Sequence, residues 1–254
     1  MHQLTSVDVF NQKGKAPLVL VCEHASNFIP DSYENLGLSA ELLHAHIAWD
    51  PGALALAETL ASRLDAPLVA ATQSRLIYDC NRPPEAVDAI IEVSEVHSIP
   101  GNLELTEAQR VGRIQQVYEP FHNALSQTIG AKLALGQSPL LVTVHSFTPV
   151  YKGQQRQVEI GVLHDSDARL ADMILAAMSG YDCRRNEPYS AVDGVTHTLK
   201  KHGIENGLPN VMLEIRNDLI ADSIGVENLS ASLSQLLQKG YSLTASTTTY
   251  NKES

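Results

Sequence analysis

The chain has 254 residues, 44% hydrophobic and 19% charged, which excludes a disordered chain and leaves ample apolar material for a large core. Lys and Arg number 18 against 29 Asp and Glu, for a formal charge of -11; this argues against a nucleic-acid partner, whose phosphates need clustered cations. Cys22, Cys80 and Cys183 are odd in number and widely spaced, which speaks against a disulfide framework and against a four-cysteine zinc site. No run approaches 18 apolar residues, and the N-terminal stretch has no apolar signal segment. The expectation is a cytoplasmic, non-membrane protein with one domain over residues 1–254 and a polar tail from about residue 244.

Residues 17–22, PLVLVC, form a short apolar, β-branched run of the kind found in buried strands, and polar Glu23 and His24 follow it. The run PGALALAETLASRL at 51–64 has helical spacing, with Leu54, Ala57, Leu60, Ala61 and Leu64 on one stripe. Pro51 suits its first turn, with Asp50 as the cap. Residues 67–71 give a second strand, followed by the polar segment SRLIYDCNRPP. Residues 85–104 are a long excursion with a turn at Pro100-Gly101-Asn102. A capping-box pattern at Thr106 opens a helix over 107–133, which Pro120 should kink.

Residues 139–144, PLLVTV, read as a strand ending on His145-Ser146. Residues 157–163 form the next strand, and 166–178 a helix. THTLKKHG at 196–203 suggests a helix stopped by Gly203, with His197 and His202 on its surface. Residues 210–216, NVMLEIR, form a strand, and 219–240 an amphipathic helix. Strands alternating with helices predict an α/β sheet covered on both faces.

Chemistry-bearing residues cluster at strand ends. His24 and His145 each follow an apolar strand, and in open α/β sheets such carboxyl ends converge on one crevice. Two histidines and a carboxylate form a zinc donor set with a position left for water. Glu214 lies inside an apolar strand, where an idle carboxylate is costly; pairing with Arg216 and service as a general base are the two readings. Arg75, Asp79, Asn81 and Arg82 form a polar group able to hold a carboxylate.

The segments EHASNFIP, HIAWDPGA, SRLIYDCNRPP, VHSFTP and LEIRND, in this order, resemble the N-formylglutamate amidohydrolase family, itself similar to the zinc carboxypeptidases. The resemblance implies a three-layer α/β/α sandwich around a mixed, mostly parallel sheet. It implies a Zn2+ site with His24 and His145 as ligands and Glu214 as general base. Asn81 and Arg82 would hold a substrate carboxylate, and Ser146 beside His145 matches the His-Ser pair of the carboxypeptidases. Arg75 would hold a second carboxylate or the oxyanion.

The carboxypeptidases place a glutamate ligand three residues after the first histidine, where this chain has Asn27. Asp50 is the expected third ligand, with Glu23 as the alternative. The CEHASN wording also departs from the PHSG wording of better-known members, so the substrate can differ from N-formylglutamate. The function implied is zinc-dependent hydrolysis of the amide bond in a small, N-formylglutamate-like N-acylated amino acid. The alternatives are a non-catalytic binding protein on the same scaffold, and a zinc peptidase or amidase acting on another carboxylate-bearing substrate.

Overall fold

The structure is a computed structural model and describes residues 5–248. Seven strands make one sheet: β1 (Val7–Phe10), β2 (Leu18–Cys22), β3 (Leu68–Ala71), β4 (Leu140–Phe147), β5 (Ile160–Leu163), β6 (Cys183–Arg185) and β7 (Asn210–Arg216). Their spatial order is β1-β3-β2-β4-β7-β5-β6. The central four, β3, β2, β4 and β7, are parallel to one another. The edge strand β1 runs antiparallel to β3, and β5 runs antiparallel to β7 with β6 parallel beside it. The sheet is therefore mixed and mostly parallel.

Strand alternation sorts the core into two layers. Leu18, Leu20 and Cys22 of β2 face one cluster, whereas Val19 and Val21 face the other. After the short α1 (Ala40–His44), the helices α2 (Ala53–Leu64), α5 (Arg169–Ala177) and α6 (Ser223–Thr248) cover the first cluster. The second lies under Val117, Phe121, Leu125 and Ile129 of the long helical stretch that contains α4 (Glu119–Ala134). These layers form an α/β/α arrangement. Within α2 the buried stripe is Ala53, Leu56, Ala57, Leu60, Ala61 and Leu64, so Leu54 lies on its flank.

Several elements differ from the sequence reading. The capping box at Thr106 forms, with its N–H donating to Gln109 Oε1 and its hydroxyl accepting from Gln109 N–H. The helix it opens, α3 (Glu107–Arg113), joins α4 through one wide π turn at Ile114–Tyr118. Pro120 has no N–H to donate to the preceding turn, and the helix accommodates that loss by widening just before it. Residues 199–206 form a π turn and a 3-10 turn that stop at Gly207, φ +66°. Gly203 instead allows close packing, because a Cβ there would meet the Asn210 side chain at 2.7 Å. The expected polar tail is helical as far as Thr248, and residues 249–254 lie outside the described residues. Among the described residues, no helix is long and apolar enough to cross a membrane.

Asp50 does not cap α2. Gly52 precedes that helix at φ +81°, no side chain caps it, and the Asp50 carbonyl accepts from Ala53 N–H at 3.1 Å. This frees the Asp50 carboxylate for other contacts. A Cβ on residue 52 would stand 2.6 Å from the Ile220 carbonyl oxygen. Gly52→Ala should therefore cost at least about 1 kcal/mol from the left-handed backbone alone, with the clash added. Urea denaturation checks this; an unchanged midpoint would show that the turn tolerates a side chain.

Candidate metal centre

The parallel order of β3, β2, β4 and β7 brings their carboxyl ends to one edge. His24 sits in the turn after β2, and its carbonyl accepts from Asp50 N–H at 2.9 Å, which fixes the Asp50 loop beside it. His145 lies inside β4, which runs three residues beyond the apolar segment and pairs with β7 as far as Phe147. In that register Glu214 is the neighbour of His145 on the adjacent strand. Both belong to the side of the sheet opposite Val144 and Leu213, which pack in the first core layer.

His24, Asp50 and His145 form a buried group with three converging donor atoms. His145 Nδ1 is 2.9 Å from Asp50 Oδ2 and 3.1 Å from His24 Nδ1, and His24 Nδ1 is 3.3 Å from Asp50 Oδ2. Tetrahedral ligands roughly 2.0–2.1 Å from zinc are separated by about 3.3 Å, so the three atoms have nearly the spacing of three corners of a zinc site.

The outer ring nitrogens face carboxylates. His24 Nε2 is 2.7 Å from Asp79 Oδ1, and His145 Nε2 is 3.1 Å from Glu23 Oε2, though not aligned for a hydrogen bond. A carboxylate beside each Nε2 favours the proton there, leaving the Nδ1 lone pairs turned inward towards each other and Asp50. Three lone-pair donors facing one point repel one another unless a proton or a metal cation lies between them.

The local field makes the same demand. Burial and Arg75 lower the His24 pKa, but Asp79 and Asp50 outweigh them and raise it. Burial likewise opposes charge on His145, yet Glu23 and Asp50 carry its pKa well above the usual value. Asp50, despite its burial, is held far below the usual carboxylate range by both histidines. The cradle thus attracts positive charge, and its two imidazoles and one carboxylate suit a divalent ion of the zinc class. Asn27 lies apart from this cradle, donating to the Leu43 carbonyl and contacting His44.

The triad lines a cavity of about 270 Å³ that Glu214 also lines. Glu214 is 5% exposed, and its Oε2 has no hydrogen-bond partner. Burial, with Asp50 adding to it, pushes its carboxyl up to about 7 against the pull of His145. Arg216 does not neutralise it, since that guanidinium pairs with Asp218 and Glu159.

Arg75, Asn81, Arg82 and Ser146 line the same cavity, with differing freedom. Arg75 donates to Asp79 at 2.5 Å, lies 3.6 Å from Asp50, and leaves 30% of its side chain exposed. The Asn81 amide donates to the Val195 carbonyl and accepts from Thr198 N–H. Arg82 donates from Nε to Asp88, from Nη1 to the carbonyls of Asn81 and Gly194, and from Nη2 to that of Asp193. The Ser146 hydroxyl donates to the Pro51 carbonyl, and its N–H donates to Asp50.

The family model for N-formylglutamate amidohydrolase matches residues 16–221. The chain belongs to the N-formylglutamate amidohydrolase family. A gene product of Agrobacterium tumefaciens, known from its crystal structure, is 49% identical with a TM-score of 0.92, over 95% of this chain and 96% of that one. The N-formylglutamate amidohydrolase of Ralstonia eutropha JMP134 has a TM-score of 0.69 at 20% identity, over 94% and 98% of the two chains, a likeness of fold. No curated protein matches the sequence.

Within and beyond the five family-like segments, the structure gives some residues partners that the sequence does not indicate. Glu23 and Asp79 back the two histidines from segments far from them in sequence. His46 and Glu95 pair at 3.0 Å on the cavity wall. His197 and His202 are not surface groups. His202 is buried with its Nε2 2.7 Å from His122 Nδ1, while half-buried His197 contacts the Tyr118 hydroxyl. Widely spaced histidines on separate elements give no sequence signal for such pairing.

Burial, helped by mutual repulsion, pushes His122 down to about 3, and burial with Lys201 pushes His202 down to about 4. An unfolded histidine titrates near 6.5. Between these values only the unfolded chain takes up the protons, so the stability of this pair is full above about pH 6.5 and declines as pH falls towards 3. The urea midpoint should fall between pH 7.5 and pH 5.0, and fall less in a His122→Gln/His202→Gln double variant. Equal falls would remove the pair from the account.

Proposed function

We propose that the protein is a zinc-dependent amidohydrolase that cleaves the amide bond of a small N-acylated amino acid, N-formyl compounds foremost. The observation that carries this reading is a buried, unpartnered Glu214 carboxylate on the same cavity as the His24–Asp50–His145 cradle. A non-catalytic binding site has no need of a carboxyl held near 7, whereas a general base works best there.

His24, Asp50 and His145 would hold the ion, with Glu23 and Asp79 orienting the imidazoles. Zinc bound there supplies Lewis acidity to a carbonyl oxygen and to water. Glu214 removes a proton from the attacking water and delivers it to the departing amine nitrogen. The acyl carbon gains an oxygen as its bond to nitrogen breaks, giving a carboxylate and a free amine. Arg75, the cavity guanidinium with the most open donors, receives the substrate carboxylate. Asn81, Arg82 and Ser146 shape the wall through the bonds described above, and the remaining Arg82 N–H can assist Arg75.

The test is amine release from a panel of N-formyl and N-acetyl amino acids, N-formylglutamate among them. Zinc-loaded protein should hydrolyse at least one member. A folded, zinc-loaded protein inert on the whole panel would contradict the reading.

A further inference from the structure

The amidohydrolase reading leaves the amino-acid part of the substrate open, and the cavity constrains it. Its volume of about 270 Å³ holds one amino-acid-sized molecule, at the small end of small-molecule sites. A dicarboxylate would need two cationic receivers. Arg82 is engaged by Asp88 and three backbone carbonyls. His46 is paired with Glu95. Arg75, with 30% of its side chain exposed against 13% for Arg82, is the more open of the two guanidiniums on the cavity. A second substrate carboxylate would instead meet Glu95, Asp193 and Glu214 on the wall, and a desolvated carboxylate without a partner is strongly disfavoured.

Three aromatic side chains, Phe147, Tyr151 and Tyr189, share the rest of the wall with Asn81, Ser146, Thr148 and Val195. Phe147 stands two residues after His145 on β4, so its ring lies on the same side of the strand, beside the metal cradle. Tyr151 comes from the short hairpin of Val150–Tyr151 and Gln154–Gln155, and Tyr189 from the segment after β6. Arg156 gathers the three rings without lining the cavity itself. Its guanidinium carbon is 5.3, 4.5 and 5.1 Å from the ring centres of Phe147, Tyr151 and Tyr189. It also donates to the Tyr189 hydroxyl at 3.1 Å and to the Thr148 carbonyl at 3.4 Å. An arginine held by three rings fixes them as a rigid surface.

We propose that the preferred substrates are N-acyl amino acids with one carboxylate and an uncharged apolar side chain, Arg75 taking the carboxylate and the Phe147–Tyr151–Tyr189 wall taking the side chain. This rests on the amidohydrolase reading for turnover but not for binding, so two measurements separate them. The first is kcat/KM of the zinc-loaded protein for N-formyl-phenylalanine against N-formylglutamate. A preference of at least about 100-fold for the former is expected, the range in which a site rejects a group that it cannot pair.

The second is calorimetric binding of the same two compounds to zinc-loaded Glu214→Gln protein, which needs no turnover. N-formyl-phenylalanine should bind more tightly, and Arg75→Met should weaken it. Tyr151→Arg, which adds a cation to the wall, should raise kcat/KM for N-formylglutamate at least about tenfold. Tighter binding of N-formyl-phenylalanine without turnover of any panel member would keep the binding preference and refute the hydrolytic reading. Equal or better use of N-formylglutamate would overturn the inference and leave that reading standing. Binding of neither compound, or affinity unchanged in Arg75→Met, would also overturn it.

Discussion

Replacing Glu214 by Gln should lower amide hydrolysis by at least about 100-fold, the lower end of what a positioned general base contributes. The substitution preserves shape, so folding, metal content and substrate affinity should change much less. The wild-type rate should also fall as the medium is acidified, because burial favours the protonated Glu214 carboxyl and its base form is lost on the acid side. Rate assays paired with a metal measurement on the same samples separate the outcomes. A rate retained in folded Glu214→Gln would refute the role, and loss of metal together with rate would recast Glu214 as a ligand or support.

The second large effect concerns the ion. Asp50 Oδ2 lies within 3.3 Å of both inward-facing Nδ1 atoms, whereas Glu23 stands at the outer Nε2 of His145. Glu23→Gln should weaken zinc by about 10- to 100-fold, the usual cost of losing an orienting partner. Asp50→Asn and His145→Ala should weaken it further, since each removes a donor atom. Competition with a chromogenic chelator ranks the three. The reverse order for Asp50 and Glu23 would move the third ligand to Glu23, and full retention in His145→Ala would remove that histidine from the set.

Much of the sheet is legible in the sequence because its central strands are buried on both faces and appear as unbroken apolar runs. That is true of LVLVC, LLVTV and NVMLEIR, and Glu214 stands out by interrupting the last of them. The edge strands lack that signal. β1 has four residues with only Val7 and Val9 turned inward, and β6 is Cys-Arg-Arg. His145 lies within its strand because pairing with β7, a long-range contact, carries β4 past the apolar run.

The site divides in a similar way. Residues that follow a strand in sequence, such as His24, can be located from the pattern. Those that depend on what lies across the fold cannot. Asp50 has the local look of a helix cap, and only the left-handed Gly52 turn reveals that its carboxylate is free to face the histidines. Nor does the sequence show that Arg82 bonds the carbonyls of Asp193 and Gly194, more than a hundred residues away. Arg156 carries no signal at all until three rings from separate segments close around it.

The most direct test of the account is activity before and after removal of the ion. Purified protein stripped with a strong chelator should lose hydrolysis of its best N-formyl amino acid while remaining folded. One equivalent of zinc per chain should restore it, and the same addition should fail with His24→Ala. Hydrolysis that survives complete stripping, or that zinc restores equally in His24→Ala, would contradict a metal-dependent reaction at the His24–Asp50–His145 cradle.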